Sequence, residues 1–268
     1  MSAAEKNSVI EPQLKFDVFD RSEQDIWITV KGEDVLQFES NRQEKPASYE
    51  IALPDPVQAF VIAAQHGMFA HPLTEPWTSK AELVRKEVKL AERQQTWLVR
   101  LRNIDTGALL VLANMLQARV LDSVEIKSAS SDEEGLSVPH FTSISALAFP
   151  RIVQQRSFIV DYEMPDRTSR ERYLQITFKR EADEFADEVY SALENWAKLL
   201  MLGGYPGPDM RPYQSAAVAE PAFLLDPNTI QLEFPDLFLC DEECFAAIVN
   251  CTRVIDHSIC PVETLLIR

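Results

Sequence analysis

The hydrophobic period changes repeatedly along this chain, from two residues to the three or four that are typical of a helix. Near the N-terminus, four segments alternate apolar and polar residues as half-buried strands do: residues 15–20, 25–30, 34–40 and 48–53. Residues 57–69 are apolar nearly all round, which indicates a buried helix. Asp55 and Pro56 suit its N-cap and its first helical position. Both periods in one chain predict an α+β fold.

The middle of the chain continues this alternation. Ser79 and Glu82 have the spacing of a capping box, so the sequence predicts an exposed amphipathic helix over residues 79–95. Further strands and helices are predicted on either side of a linker: strand 96–104, a helix opening on Asp105, strand 124–128, linker 128–140, strands 156–164 and 172–178 paired around the turn 165–170, helix 181–202, loop 205–228, strand 229–234, helix 241–258 and strand 262–268.

The predicted elements follow a similar order on both sides of the linker. Each side gives β–β–α, a variable insert and then β–α–β, and ARVLD (118–122) resembles TRVID (252–256). Tyr49 and Tyr173 each open a strand before a helix. We therefore expect two similar ββαβαβ halves, residues 1–135 and 136–268, with antiparallel-rich sheets and helices packed on one face. The alternative is one continuous α+β domain.

The net charge of the chain limits the classes of molecule that it is expected to bind. Its formal net charge is −16, and both halves are acidic: residues 1–135 hold 22 acids against 15 bases, and residues 136–268 hold 20 against 11. Binding to a nucleic-acid backbone needs clustered Lys and Arg, so a nucleic acid or an anionic membrane is a disfavoured partner. A basic protein partner is favoured, because complementary charge speeds association.

Two further features bear on location and cofactors. The N-terminal residues lack a secretory signal, and the longest apolar run, residues 108–116, is too short to span a bilayer, so we expect a cytoplasmic protein. The chain has seven glycines, and their one cluster, GGYPG at 203–207, follows a predicted helix. We interpret Gly203 or Gly204 as a left-handed helix cap. A nucleotide-binding enzyme is therefore disfavoured.

All four cysteines and one of the four histidines, His257, lie near the C-terminus, which raises the question of a metal site. The cysteines are Cys240, Cys244, Cys251 and Cys260. On a helix, Cys244 and Cys251 are seven residues apart, about 10 Å along the axis. One zinc ion with Zn–S bonds of about 2.3 Å cannot bind both. We expect core packing, with no metal or cofactor, and only Cys240, beside the helix start, is a candidate reactive thiol.

The remaining histidines suggest little chemistry. His66 and His71 are five residues apart and do not form the i, i+4 zinc motif. His66 is expected in the last turn of its helix, where partial positive charge suits the dipole. His140 with Asp132 and Glu133 would form an acid–base or metal group only if the linker brought them together. With no serine-hydrolase motif either, the sequence offers no catalytic residue.

The densest charge feature is EADEFADE, residues 181–188. Acids in the first turns of a helix complement the helix dipole, so a solvated helix face is the simplest interpretation. The apolar stripe of the same helix, from Phe185 to Leu200, leaves Glu184, Asp187 and Glu188 pointing outward. These three residues are the candidate docking surface for a basic partner.

Three functional hypotheses remain open. The first is a non-enzymatic, acidic cytoplasmic protein that acts through protein–protein contacts, as an adaptor, a chaperone or an inhibitor does. The second is a regulatory domain that binds a small molecule in a cleft between the halves. The third is an enzyme whose catalytic residues come from scattered loops.

Overall fold

The computed structural model describes residues 23–32, 55–105, 107–118, 123–129, 136–138, 157–162, 172–205, 221–234 and 244–268. Four α-helices are described: α1 Pro56–Gln65, α2 Ala108–Gln117, α3 Ala186–Met201 and α4 Cys244–Ser258. Ten β-strands form two sheets of five strands each. The mixed α+β class predicted from the sequence is confirmed. The predicted strands 15–20, 34–40 and 48–53 lie outside the described residues.

The first sheet is antiparallel throughout and has the order β2-β3-β1-β4-β5. Its strands are: β1 Gln24–Lys31, β2 Lys80–Lys89, β3 Gln94–Arg102, β4 Ser123–Ser128 and β5 Leu136–Val138. Ile28 of the central strand pairs with Trp97 of β3 and with Ile126 of β4, and all three side chains are buried. The period-two pattern at residues 25–30 therefore gives the expected half-buried strand.

The second sheet has the order β6-β10-β7-β9-β8. Its strands are: β6 Ile159–Tyr162, β7 Arg172–Phe178, β8 Phe223–Asp226, β9 Thr229–Phe234 and β10 Val262–Ile267. Edge strand β6 pairs parallel with β10, and the other three pairings are antiparallel. In the first sheet β2-β3-β1-β4 and in the second β8-β9-β7-β10 follow the same spatial order. Each set belongs to a β–α–β–β–α–β unit. In this unit the two strands of a β–α–β crossover are separated in the sheet by one other strand.

Four predictions about the elements are wrong. Residues 79–95 form no α-helix: most of them belong to edge strand β2, which forms a hairpin with β3, and only Leu90–Glu92 form a single 3₁₀ turn. Strands β6 and β7 are not paired, because β10 lies between them. The predicted loop 205–228 contains β8, and the predicted linker 128–140 contains β5, a strand of the first sheet. Each half therefore has β–α–β–β–α–β at its centre instead of ββαβαβ, because each variable insert contains a strand.

Local sequence signals set three helix ends, although α1 ends at Gln65 and not at the predicted residue 69. Asp55 caps α1 by accepting hydrogen bonds from the backbone N–H groups of Val57 and Gln58, at 2.8 and 3.3 Å. Asp105 accepts from the N–H of Gly107, at 2.7 Å, just before α2. Gly203 follows α3 with φ of +76°, which confirms the predicted left-handed cap. The described helices include none that is long and apolar enough to cross a bilayer.

The four helices and the inward faces of both sheets share one hydrophobic core. All ten residues of α2 are buried, whereas a helix that covers only one sheet leaves a face in water. The other face of α2 is covered by the turn after α3: the Asn114 amide donates to the Gly204 carbonyl at 3.1 Å. Helix α1 packs against α3, where the Asn195 amide donates to the Ala59 carbonyl at 3.3 Å. The halves therefore meet through their helices.

Candidate functional site

The three carboxylates predicted as a docking surface, Glu184, Asp187 and Glu188, are all exposed. We call them the acidic surface. Asp187 and Glu188 lie in the first turn of α3, and Glu184 lies in the turn that precedes the helix, which begins at Ala186 and not at residue 181. Carboxylates near a helix N-terminus are stabilised by its dipole. The acidic surface therefore lies where the helix dipole favours negative charge.

The opposite side of α3 anchors the acidic surface to the core. Phe185, Val189, Leu193, Trp196 and Leu200 are buried, as the stripe in the sequence predicts. The Trp196 indole also donates to the Cys244 carbonyl of α4 at 2.9 Å. Because one face of α3 is fixed in this way, its exposed face presents charges at constant spacing.

The negative charge at this end of α3 helps to raise the pKa of two neighbouring side chains. Burial raises the pKa of Tyr190, and the charges of Asp187 and Asp183 raise it further. The pKa of Arg180 is raised mainly by its hydrogen bond to Cys260, with a smaller contribution from Glu184. Among the described residues, no ion pair connects Glu184, Asp187 or Glu188 to a Lys or Arg. Their charge is left for solvent or for a partner.

The described cysteines lie in the core. Cys244, Cys251 and Cys260 are free thiols with 1% exposure or less, which confirms the inward orientation predicted for Cys244 and Cys251. Arg180 Nε donates to Cys260 Sγ at 3.2 Å. The candidate reactive thiol, Cys240, lies outside the described residues. In the part of the chain that is described, no three His, Cys, Asp or Glu side chains lie close enough to hold a metal ion.

The thiol of Cys251 is expected to be inert in the folded protein. Burial raises its pKa to about 12, so at pH 8 its thiolate fraction is less than about a thousandth of that of an ordinary cysteine with a pKa near 8.5. Iodoacetamide labelling followed by peptide mass spectrometry should leave Cys251 unmodified until denaturant is added. Labelling of native Cys251 at the rate of the unfolded chain would contradict its buried position.

The three described histidines each have a different environment. His66 is the C-cap of α1, and burial lowers its pKa, which disfavours the positive charge that the sequence suggested for the helix end. His71 Nδ1 accepts from the Leu73 N–H at 3.1 Å within its own turn. His257 stacks on Trp77, with ring centroids 3.8 Å apart. His140, Asp132 and Glu133 lie outside the described residues.

The structure also contains a cleft that the sequence did not suggest. Its volume is about 460 Å³. It lies at the edge of the first sheet, and its lining comes from the start of β2, the end of β3 and the residues beside them: Glu23, Gln65, Trp77, Ser79, Lys80, Ala81, Glu82, Arg100, Leu101 and Arg102. We call it the edge cleft. All its lining residues belong to the first half, although Trp77 contacts the second half through His257.

The charges of the edge cleft are unevenly neutralised. Arg100 donates to both carboxylate oxygens of Asp25, at 2.9 and 3.2 Å, and its Nε lies 4.0 Å from Glu23. Lys80 and Arg102 lie directly opposite each other on β2 and β3, and neither makes an ion pair with a described residue. The only sequence signal for cations at this cleft was the alternation Arg100-Leu101-Arg102, which puts two arginines on one face of β3.

A cluster of contacts between the halves supports one wall of the edge cleft. The buried Arg253 of α4 pairs with Glu75, with 2.9 Å between Nη2 and Oε2. Its guanidinium carbon lies 5.9 Å from the centroid of the Trp77 ring, so Trp77 contacts both Arg253 and His257. These contacts hold the indole in place.

Comparison with known proteins gives no match: no family model, no curated protein and no solved structure is similar to this chain.

Proposed function

We propose that this chain is a non-enzymatic cytoplasmic protein that works by binding another protein, and that the partner presents a basic surface to Glu184, Asp187 and Glu188. The observation that carries the proposal is the exposure of these three carboxylates without ion-pair partners among the described residues. A net charge of −16 adds long-range attraction for a cationic protein. An adaptor, a chaperone or an inhibitor would each use such a surface.

The position of the acidic surface favours recognition over simple solubility. Two of its carboxylates lie in the first turn of a helix whose other face is buried, and the third lies in the turn before it, so a partner meets charges carried on a fixed backbone. Fixed, complementary charges raise the rate of association and set the orientation of the partner. Charges spread over mobile surface side chains give solubility without this specificity.

Neutralising the acidic surface should weaken the complex. The triple variant Glu184→Gln, Asp187→Asn, Glu188→Gln is expected to bind at least tenfold more weakly to a basic protein captured by the wild type, because three charge pairs are lost. The measurement is surface plasmon resonance with the purified partner at two salt concentrations. Most of the change should appear in the association rate.

The matched control removes three exposed acids elsewhere: Glu92→Gln, Glu233→Gln and Glu263→Gln. Both triple variants have the same net charge. Equal loss of binding in the two would mean that only total charge matters, and unchanged binding in the first would remove the acidic surface from the interface.

We further propose that the two halves arose by duplication of one β–α–β–β–α–β unit. Contacts across the helices support this, because they recur with an offset of 136 residues. A Cβ on Gly67 would meet Val254, and a Cβ on Gly203 would meet Ala118. Each residue of the first contact lies 136 positions from its counterpart in the second. Such exchange of equivalent contacts is the rule of a two-fold symmetric interface.

The same offset relates other buried residues of the helices. Phe60 corresponds to Trp196 and Phe69 to Tyr205, all large buried aromatics, and Asn114 corresponds to the buried Asn250. The hydrogen bond from Asn195 to Ala59 joins two corresponding positions, as expected where related helices cross on a pseudo-two-fold axis. The pairing of ARVLD with TRVID has an offset of 134 and is two residues out of this register, and residues 119–122 lie outside the described part. An experimental structure whose halves superpose in the 136-residue register would support duplication, and different helix crossings would contradict it.

A further inference from the structure

We propose that the edge cleft binds a small organic anion, with its phosphate or carboxylate group held by Lys80 and Arg102 and its apolar part placed against Trp77. This site is independent of the acidic surface and does not depend on its having a protein partner. The argument rests on the two unpaired cations, on the wall beside them and on the size of the cleft.

The first step is the juxtaposition of Lys80 and Arg102. Like charges directly opposite each other on antiparallel strands destabilise the pairing. Here both side chains are exposed, they line the same cleft, and neither has an ion-pair partner in the described part of the chain. The repulsion between the two side chains is unfavourable by itself, and an anionic group between them would relieve it.

The second step is the division of charge within the edge cleft. Two residues further along the hairpin, Arg100 faces Glu82 and is held by Asp25. That end is neutralised internally, while the end formed by Lys80 and Arg102 is not. An anion is therefore directed to one defined end, and the carboxylates of Glu23 and Glu82 repel it from the other.

The third step concerns the wall and the remaining donor. Trp77 is 36% exposed and contacts His257 and Arg253, so its exposed part offers a rigid aromatic surface. Ser79 is 4% exposed, and its hydroxyl has no hydrogen-bond partner among the described residues. Buried hydroxyl groups are normally hydrogen-bonded, so this one is available to a ligand oxygen. The volume of about 460 Å³ is within the range of sites for small molecules.

Calorimetric titration with matched probes tests the site. The probes are phenyl phosphate, benzoate, inorganic phosphate and neutral benzyl alcohol, at constant ionic strength. We expect saturable binding of phenyl phosphate or benzoate and none of benzyl alcohol. Tighter binding of phenyl phosphate would assign a phosphate ligand, and tighter binding of benzoate a carboxylate ligand. Absence of binding by every anionic probe would overturn the proposal.

Variants distinguish the site from general attraction of anions. Arg102→Glu gives Lys80 an opposite charge across the hairpin, so the thermal midpoint of this variant without ligand should equal or exceed that of the wild type. Its affinity for the anionic probes should fall at least tenfold. Lys80→Met should also weaken binding. Lys89→Glu makes the same charge change as Arg102→Glu, on the neighbouring strand β2 and outside the edge cleft. Equal losses in Arg102→Glu and Lys89→Glu would overturn the proposal.

A third variant tests the aromatic wall. Trp77→Leu should weaken phenyl phosphate but leave the weaker binding of inorganic phosphate unchanged, because only the first ligand has a ring to stack. Equal effects on both probes would contradict the role assigned to Trp77 and overturn the proposed placement of the ligand.

Discussion

Replacing Gly67 with alanine is expected to destabilise the protein by about 3 kcal/mol. Gly67 has φ of +74°, which costs an L-residue about 1–2 kcal/mol. Its added Cβ would also lie 2.5 Å from Val254 Cγ2 and 2.8 Å from the Pro76 carbonyl oxygen. Relieving such overpacking costs typically 1–3 kcal/mol, because backbone or core must shift. The loss should be measured by guanidinium denaturation followed by far-UV circular dichroism.

Gly203→Ala is the matched control for Gly67→Ala. Gly203 has almost the same backbone angle, φ of +76°, but its added Cβ would meet only the Ala118 methyl group, at 3.1 Å. We expect a loss of about 1–2 kcal/mol there, which measures the backbone strain alone. The difference between the two losses of unfolding free energy then measures the close contact of Gly67 with the second half. Equal losses in the two variants would contradict that contact.

A double-mutant cycle makes the test specific for Val254. Val254→Ala removes the methyl group that the new Cβ would strike, so Gly67→Ala should cost less in that background than in the wild type. If the costs are the same in both backgrounds, the clash with the Pro76 carbonyl dominates and Val254 is not the limiting neighbour.

Local signals predict strand β1 and three of the helix ends, because the residues that specify these features are close in the sequence. Asp55 and Pro56 start α1, Asp105 lies before α2, and Gly203 ends α3, each through its own backbone geometry. The alternation in β1 survives because one face of that strand is buried and the other is partly exposed. These features need no knowledge of distant contacts.

The wrong prediction of a helix over residues 79–95 has a specific physical cause. Strand β2 has a register shift between Leu83 and Arg85, where an extra residue enters one strand of the pair. The shift moves the inward positions from Ala81 and Leu83 to Lys86 and Val88. Apolar residues stand at 81, 84 and 88, which resembles the spacing of a helix, although Val84 is exposed. Because β2 is an exposed edge strand, burial does not require its residues to alternate between apolar and polar, and the period of a strand is therefore missing from its sequence.

The wrong hairpin and the missed cleft depend on long-range pairing. Strand β10 separates β6 from β7 although it begins about 100 residues after β6, and no local turn signal reports this. The edge cleft needs the register that places Lys80 opposite Arg102, which is defined only once β2 is recognised as a strand. The acidic surface was predictable because its three residues share one helix end.

The second large effect is expected at Asn114, which joins α2 to the turn after α3. Asn114→Asp should destabilise the protein by about 4 kcal/mol at pH 7. The residue is 6% exposed, and its amide donates to the Gly204 carbonyl. A carboxylate at this position cannot donate, and it would place an unpaired charge against a carbonyl oxygen in the core.

The loss in Asn114→Asp should depend on pH in a defined direction. Burial disfavours the charged carboxylate, so its pKa in the folded variant lies above the unfolded value of about 3.9. Between these two values the folded state binds more protons, and stability therefore decreases as the pH rises. Protonation restores a donor for the Gly204 carbonyl. The difference from the wild type should shrink as the pH is lowered from 7 towards 5.

Two variants separate the charge from the lost hydrogen bond at Asn114. Asn114→Leu leaves the Gly204 carbonyl without its donor but adds no charge, so we expect a loss of about 1–3 kcal/mol that does not change with pH. Asn228→Asp makes the same chemical change in a half-buried turn and should cost less than about 1 kcal/mol. A pH-independent loss in Asn114→Asp would mean that the carboxylate reaches water. In that case α2 is not covered by the turn after α3, and the two halves do not share one closed core.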